Sequence, residues 1–142
     1  VWVGVSQILP ILVSSLLADS DTTLIFEQPE IHLHTKVQTL LADFFLSMTQ
    51  LGKQCVIETH SEYLINRMRF RTAAAVTTNP WLEAVRLYFV ERGKNGSVFR
   101  KVDVNEFGAI TDWPDGFFDK NQREAEAILR AAAAKRKKKR DK

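Results

Sequence analysis

The sequence predicts an α/β fold: a parallel β-sheet with flanking helices, followed by a C-terminal β-hairpin and a helix. Through residues 1–78, short apolar runs typical of buried strands alternate with longer segments of helical periodicity. After Pro80 the pattern changes to two strand-like runs around a glycine-containing turn. Strands that alternate with helices belong to parallel sheets, whose two faces are covered by helices.

The first half of the chain predicts five elements, in the order helix, strand, helix, strand, helix. Residues 7–17 are mostly apolar and predict a buried helix that Ser6 caps. Pro10 then lies in its first turn, where proline costs least. The apolar run 22–26 predicts a buried strand, which Pro29 stops.

The second helix has the clearest pattern, because its apolar residues recur at the i, i+3, i+4, i+7 spacing of an amphipathic helix. The residues of this stripe, all expected in the core, are Val37, Leu40, Leu41, Phe44, Phe45 and Met48. Gly52 is expected to end the helix, as glycine often does. Residues 54–58 predict the second strand, and Ser61 is expected to cap the third helix.

The chain is predicted to have three regions: residues 1–78, 79–120 and 121–142. The first is the α/β part. The second is a hairpin and turn extension, with strands at 85–91 and 97–104. The third is an alanine-rich helix that runs into a basic tail, which is expected to be disordered.

The composition, with 45% apolar and 26% charged residues, is ordinary for a soluble globular protein. No apolar run reaches the roughly 18 residues of a membrane helix, so no membrane partner is expected. Cys55 is the only cysteine, which excludes an internal disulfide and fits the expectation of a cytoplasmic location. The overall net charge is +3, but residues 135–142 alone carry a net charge of +6. The rest of the chain therefore has a net charge of −3. Only the tail therefore suits a polyanion such as DNA.

Polar side chains follow both predicted strands of the sheet. The residues concerned after the first strand are Glu27, Gln28, Glu30, His32 and His34, and those after the second are Glu58, His60 and Ser61. Ligands of α/β sheets bind beyond the carboxyl ends of the strands, so these acids and histidines are expected to share one crevice.

These clusters resemble the motifs of a known ATPase group. Residues 23–30 resemble a Walker B strand, and residues 31–34 resemble the D-loop of the overcoming-lysogenization-defect (OLD), RecF and structural-maintenance (SMC) type ATPases. Residues 58–61 are similar to the switch-histidine loop, and residues 4–7 resemble the degenerate ABC signature. The motifs follow the family's order and approximate spacing. Residues 1–78 therefore resemble the C-terminal half of an ABC-type, AAA-family ATPase core, which is a partial P-loop NTPase fold.

The resemblance implies ATP as the substrate and Mg²⁺ as the cofactor, with Glu27 as the metal ligand and His60 as the sensor of the γ-phosphate. The position that usually carries the water-orienting glutamate is Gln28, which cannot accept a proton. Glu30 is then the nearest candidate base, or hydrolysis is slow.

The resemblance also implies a nucleotide-binding set and a homodimer that clamps ATP between two subunits. The residues of this set are Gly4, Val5, Ser6, Gln7, His32 and His34. The first four are expected at a helix N-terminus, where backbone N–H groups favour anions, and they would meet the partner's γ-phosphate. For His34, a role as N-cap of the next helix is equally open.

No G-x-x-x-x-G-K-[ST] phosphate-binding loop (Walker A) occurs in the sequence. In the resembled family that loop lies upstream, so a missing N-terminal half is an expected partner, and the chain alone is expected to be inactive. The implied function is a nucleotide-driven dimerisation switch in DNA repair or phage defence, with DNA or an effector protein as a further partner.

Two other functions remain open from the residues alone. Two histidines on one extended segment, together with Glu58 and His60, could hold Zn²⁺ or Mn²⁺ in a metal-dependent hydrolase. The chain could also be a non-catalytic fragment that contributes only surface and tail to binding.

Overall fold

A computed structural model describes residues 2–75, 80–114, 124, 127–132 and 135. The chain divides into two compact units, Val1–Arg86 with Val104–Ile110 and Leu87–Asp103 with Thr111–Lys142. The first unit has the elements α1 (Trp2–Leu17), β1 (Thr23–Glu27), α2 (Thr35–Gln50), β2 (Gln54–Glu58), α3 (Glu62–Ala74) and α4 (Pro80–Ala84). The predicted mixed α/β fold with a short parallel sheet is thereby confirmed.

The sheet of the first unit pairs β1 with β2 in parallel, from Thr23 beside Gln54 to Glu27 beside Glu58. One face packs on α2, where the rings of Phe26 and Phe45 lie 5.2 Å apart. On the other face, Ile25 is 77% exposed. The expectation that both faces are covered is therefore met on only one face in the part of this unit that the structure describes.

Helix α2 supplies most of the core, but its buried face is rotated from the predicted one. Leu41 and Phe45 are buried as expected, whereas Leu40 is 57% exposed. Ala42 and Leu46 are buried instead. The reason is that the buried face of α2 is centred on Phe45, and Leu40 lies at the edge of the apolar stripe farthest from it.

The turn after α2 fixes three elements at once. Gly52, with φ of 75°, donates to the Thr49 carbonyl and Lys53 donates to the Met48 carbonyl, each at 3.1 Å. This pair of hydrogen bonds is a Schellman motif and confirms that Gly52 ends the helix. The Lys53 side chain is buried, and its Nζ donates to the Ser15 carbonyl at 2.6 Å near the end of α1. A buried cation thus satisfies the carbonyl end of α1, where the helix dipole favours positive charge.

Helix α1 corrects a prediction, because it begins at Trp2 and not at Gln7. Ser6 is therefore inside the helix and is not its N-cap, and Pro10 lies near the middle and not in the first turn. Proline in a helix interior removes one backbone hydrogen bond. The cost is offset here by Ile8 and Ile11, which pack on the hydrophobic core on either side of Pro10.

The second unit contains the expected hairpin, with strands β3 (Leu87–Gly93) and β4 (Gly96–Val102). The predicted bounds, 85–91 and 97–104, were wrong by up to two residues. At the inner ends, the strands extend further than predicted because the turn is shorter than expected. Only Lys94 and Asn95 separate the strands. Gly96 has a φ of 135°, which side-chain-bearing residues rarely adopt.

The predicted C-terminal helix, 121–134, is only partly covered by the described residues. Residues 127–132 are helical. Residues 136–142, which make up almost all of the basic tail, lie outside the described part of the chain. Within the stretches that are described, none of the helices combines the length and hydropathy of a membrane span.

A cluster of charged residues joins α2 to α3. Asp43 accepts hydrogen bonds from Arg67 and Arg71, with closest N–O distances of 2.7 Å in both pairs. Partial burial by itself raises the pKa of Asp43, but the hydrogen bonds and charges of the two arginines outweigh it and lower the pKa from 3.8 to about 2.

We expect Asp43→Asn to lower the free energy of unfolding at neutral pH by about 1–2 kcal/mol, a value reduced for the partial exposure of the arginines. Because the folded pKa lies below the unfolded one, this contribution is complete above pH 3.8 and is lost as the pH falls towards 2. Urea unfolding of both proteins should show a difference that is constant from pH 7 to 5 and about half as large at pH 3. A difference that does not change with pH would contradict this assignment.

Candidate functional site

The two strand-end carboxylates, Glu27 and Glu58, are partners in the sheet register. The chain then turns sharply, because Gln28 adopts a left-handed φ of 43°. Its backbone N–H donates to the Glu58 carbonyl at 2.9 Å, which ties the loop after β1 to the end of β2. A left-handed conformation is uncommon for glutamine, so this hydrogen bond holds the backbone in a conformation that it would not adopt by preference.

The Glu30 side chain extends from the loop after β1 to the loop after β2. Its side chain is buried, with 7% of the residue exposed, and its Oε1 accepts the backbone N–H of His60 at 2.8 Å. Its second oxygen, Oε2, is also buried and has no hydrogen-bond partner among the described residues. A buried carboxylate in the loop after β1 therefore accepts a hydrogen bond from the backbone of the loop after β2.

The side chain of His60 faces solvent, in contrast to its backbone. It is 77% exposed, and its Nε2 lies 3.3 Å from Oε1 of Glu58, which is 50% exposed. An imidazole and a carboxylate are thus held side by side on an open surface. Both groups are accessible to a ligand at the carboxyl edge of the sheet.

A polar network that the sequence did not predict supports the same two loops. The Gln38 side chain donates to the Leu33 carbonyl at 2.9 Å and accepts from the Ser61 hydroxyl at 2.6 Å. The Ser61 oxygen accepts the N–H of Leu64 at 3.3 Å, which confirms Ser61 as the N-cap of α3. The sequence feature that could have indicated this network is Gln38, a glutamine that lies between the apolar residues Val37 and Leu41 of α2.

The two histidines of the D-loop-like segment have different surroundings. His34 is the N-cap of α2, and its Nδ1 accepts the backbone N–H of Lys36 at 3.3 Å. His32 has a left-handed φ of 63° and is exposed. The structure therefore gives His34 a local structural role, which was one of its two predicted alternatives.

A cavity of about 370 Å³ lies between the start of α1 and the D-loop-like segment. Gly4 and Val5 line it from one side, and His32 and His34 line it from the other, whereas Ser6 and Gln7 do not. A Cβ on Gly4 would lie 3.3 Å from the His32 carbonyl oxygen, so the glycine permits the close approach.

The structure thus divides the predicted site residues into two groups. Glu27, Gln28, Glu30 and His60 lie together at the carboxyl ends of β1 and β2. The other group lines the cavity beside α1, except Ser6 and Gln7, which lie in the second turn of the helix because it begins at Trp2. Their expected position at a helix N-terminus was therefore wrong.

The described residues include no group of three His, Cys, Asp or Glu side chains that could hold a metal ion. His34 also uses its Nδ1 to cap α2. The hydrolase alternative, which needs a histidine-rich ligand set, thus has no preformed set in this part of the chain.

Comparison with known families agrees with this geometry. Residues 4–66 match the family model described as "AAA domain, putative AbiEii toxin, Type IV TA system". Residues 82–128 match a second model, described as a protein of unknown function (DUF3696). No curated protein and no solved structure matched the chain.

The first match, which spans both strand-end loops, supports an AAA- or ABC-type ATPase-like family for this part of the chain. It also supports a nucleotide-binding, ATPase-type function. The second match includes the hairpin, and its description assigns no activity.

We expect His34→Ala to lower the free energy of unfolding by about 0.5–1 kcal/mol, because the first turn of α2 loses its side-chain cap. His34→Ser should restore most of this loss, since serine is a strong N-cap residue. Thermal or urea unfolding of the chain measures both changes. His32→Ala is the matched control, and a loss as large as that of His34→Ala would show that capping is not the cause.

Proposed function

We propose that this chain supplies the Walker B strand, D-loop, switch-histidine loop and signature segment of an ABC-type ATPase of the OLD, RecF and SMC-like group. The observation that supports this most directly is the in-register pairing of β1 and β2. It brings the Walker B-like and switch-like loops to one edge of a parallel sheet, where nucleotides bind in α/β folds. The AAA-type family match covers both loops.

The strand-end residues fit a magnesium ion by their chemistry. Glu27 offers a carboxylate at the end of β1, and carboxylate oxygens are ligands that Mg²⁺ prefers. Glu58 lies beside it in the register and adds negative charge to the same edge. When bound, the ion would neutralise charge that develops on the phosphates.

His60 is well placed to meet the γ-phosphate of ATP, because its imidazole is exposed beyond the sheet edge. Its neighbour Glu58 can orient the ring through the Nε2–Oε1 contact at 3.3 Å. Gln28 offers an amide that can hold a water molecule but cannot take its proton. We therefore infer that hydrolysis is slow compared with a site that has a glutamate there.

The cavity beside α1 supports a role for the signature-like segment in a nucleotide-dependent homodimer. Gly4 and Val5 line this cavity together with His32 and His34. In the proposed dimer, Gly4 and Val5 face the γ-phosphate bound by the partner subunit. The phosphate-binding loop would come from an N-terminal half that this sequence does not contain.

The process that such a switch serves is inferred from the family match. Its description names a toxin, which favours a role in defence over one in DNA repair. DNA or an effector protein would then receive the conformational change. The basic residues 135–142 could contribute to DNA binding through contacts that weaken as salt increases.

This chain alone should bind ATP weakly and hydrolyse none at a measurable rate, because the lysine and backbone nest that hold the β- and γ-phosphates are absent from its sequence. Isothermal titration calorimetry with Mg-ATP tests the binding, and phosphate release tests the hydrolysis. Micromolar affinity for ATP would contradict the proposal that the phosphate cradle lies elsewhere.

In a protein that joins this chain to its phosphate-binding loop, Glu27→Gln should abolish hydrolysis and also weaken Mg-ATP binding. His60→Ala should reduce turnover about 10²-fold or more with a smaller loss of binding, because it removes one transition-state contact while the cradle remains. Steady-state turnover and nucleotide affinity of both variants test the assignment. Near-normal turnover in both would place the active site elsewhere.

A further inference from the structure

We propose that Glu30 is a positioning residue that fixes the switch histidine through the His60 backbone, and that it is not the general base. This inference rests on the proposed ATPase function. From the sequence, Glu30 was the nearest candidate base, because Gln28 replaces the usual one.

The burial of Glu30 argues against a role as base. A general base must reach the attacking water, directly or through one further water molecule. Glu30 is only 7% exposed, and its Oε1 is already occupied by the His60 N–H at 2.8 Å. In contrast, the His60 side chain, which would contact the nucleotide, is 77% exposed.

The hydrogen bonds of Glu30 argue for a positioning role. Its Oε2 is buried without a partner among the described residues, so the contact with His60 is the polar interaction that holds this carboxylate. His60 lies between β2 and α3, outside the strand pairing, and its backbone N–H donates to the Glu30 carboxylate at the position where a sheet hydrogen bond would otherwise continue.

Two further hydrogen-bonded connections between the two loops lie on either side of the Glu30–His60 hydrogen bond. On one side, the Gln28 N–H is bonded to the Glu58 carbonyl at 2.9 Å. On the other side, Gln38 bridges the Leu33 carbonyl and the Ser61 hydroxyl. The loop after β1 and the loop after β2 are therefore tied before, at and after His60. A displacement of the switch histidine would be transmitted through Glu30 to the D-loop-like segment.

The test is a double-mutant cycle on ATP turnover in the protein that contains the phosphate-binding loop. Glu30→Gln keeps an oxygen acceptor for the His60 N–H, so turnover should stay within about threefold of the wild type. Glu30→Ala removes the acceptor, so turnover should fall towards that of His60→Ala. The double variant Glu30→Ala/His60→Ala should be no slower than His60→Ala alone, because both changes disable the same contact.

A stability control separates positioning from general destabilisation. Asp43→Asn weakens the α2–α3 contact away from the sheet edge, so it should lower the melting temperature without lowering turnover at a temperature where the protein is folded. If Glu30→Gln is as inactive as Glu27→Gln, Glu30 is the base and the proposal is wrong. Full turnover in Glu30→Ala would also overturn it.

Amide hydrogen exchange of His60, measured by NMR on this chain, tests the link independently of catalysis. Exchange should be slow in the wild type and in Glu30→Gln, and at least tenfold faster in Glu30→Ala. An unchanged rate in Glu30→Ala would overturn the positioning role. If the joined wild-type protein shows no ATP turnover, the proposed function fails, and the exchange rates still decide whether Glu30 positions His60.

Discussion

The parallel pairing of β1 with β2 is the constraint on which the candidate site depends. Because the register places Glu27 beside Glu58, the two loops that follow leave the sheet at the same level and on the same edge. A shift of one residue would turn Glu58 to the opposite face and remove the match between the loops. The hydrogen bonds from Gln28 and His60 then connect loops that are already adjacent. The register thus turns two polar segments about 30 residues apart in the chain into one surface.

The site combines a hydrogen-bonded backbone with exposed side chains. Glu30, Gln38 and Ser61 are buried or partly buried and hold the loops from beneath. The His60 imidazole and the Glu58 carboxylate remain open to solvent above them. This arrangement suits a residue that must detect a ligand, because the backbone position is set while the ring stays accessible. It also explains the position of the polar residue Gln38 beside the buried face of α2, because an apolar side chain there could form neither hydrogen bond.

Hydrogen bonds at the helix ends, as well as apolar contacts, fix the positions of α1 and α2. The Schellman turn at Gly52 directs Lys53 back to the last carbonyls of α1, and His34 caps α2 at the point where the D-loop-like segment stops. The exposed face of the sheet, with Ile25 at 77% exposure, differs from the buried faces that are usual in parallel sheets. That exposure agrees with the proposal that the nucleotide site needs a further half.

Four features could be predicted from the amino-acid sequence: the order of the first five elements, the end of α2 at Gly52, the cap of α3 at Ser61 and the two polar clusters at the strand ends. These features depend on local periodicity, turn chemistry and the rule that parallel strands end at one edge. The rotation of α2 that exposes Leu40 and the contacts of Glu30, Gln38 and Lys53 follow only from the tertiary structure. The contacts of these three side chains with His60, Ser61 and Ser15 join residues that are 23 to 38 positions apart in the chain. Local sequence cannot specify such a partner, because a buried carboxylate, amide or ammonium is stabilised by whichever backbone group the packing brings within reach.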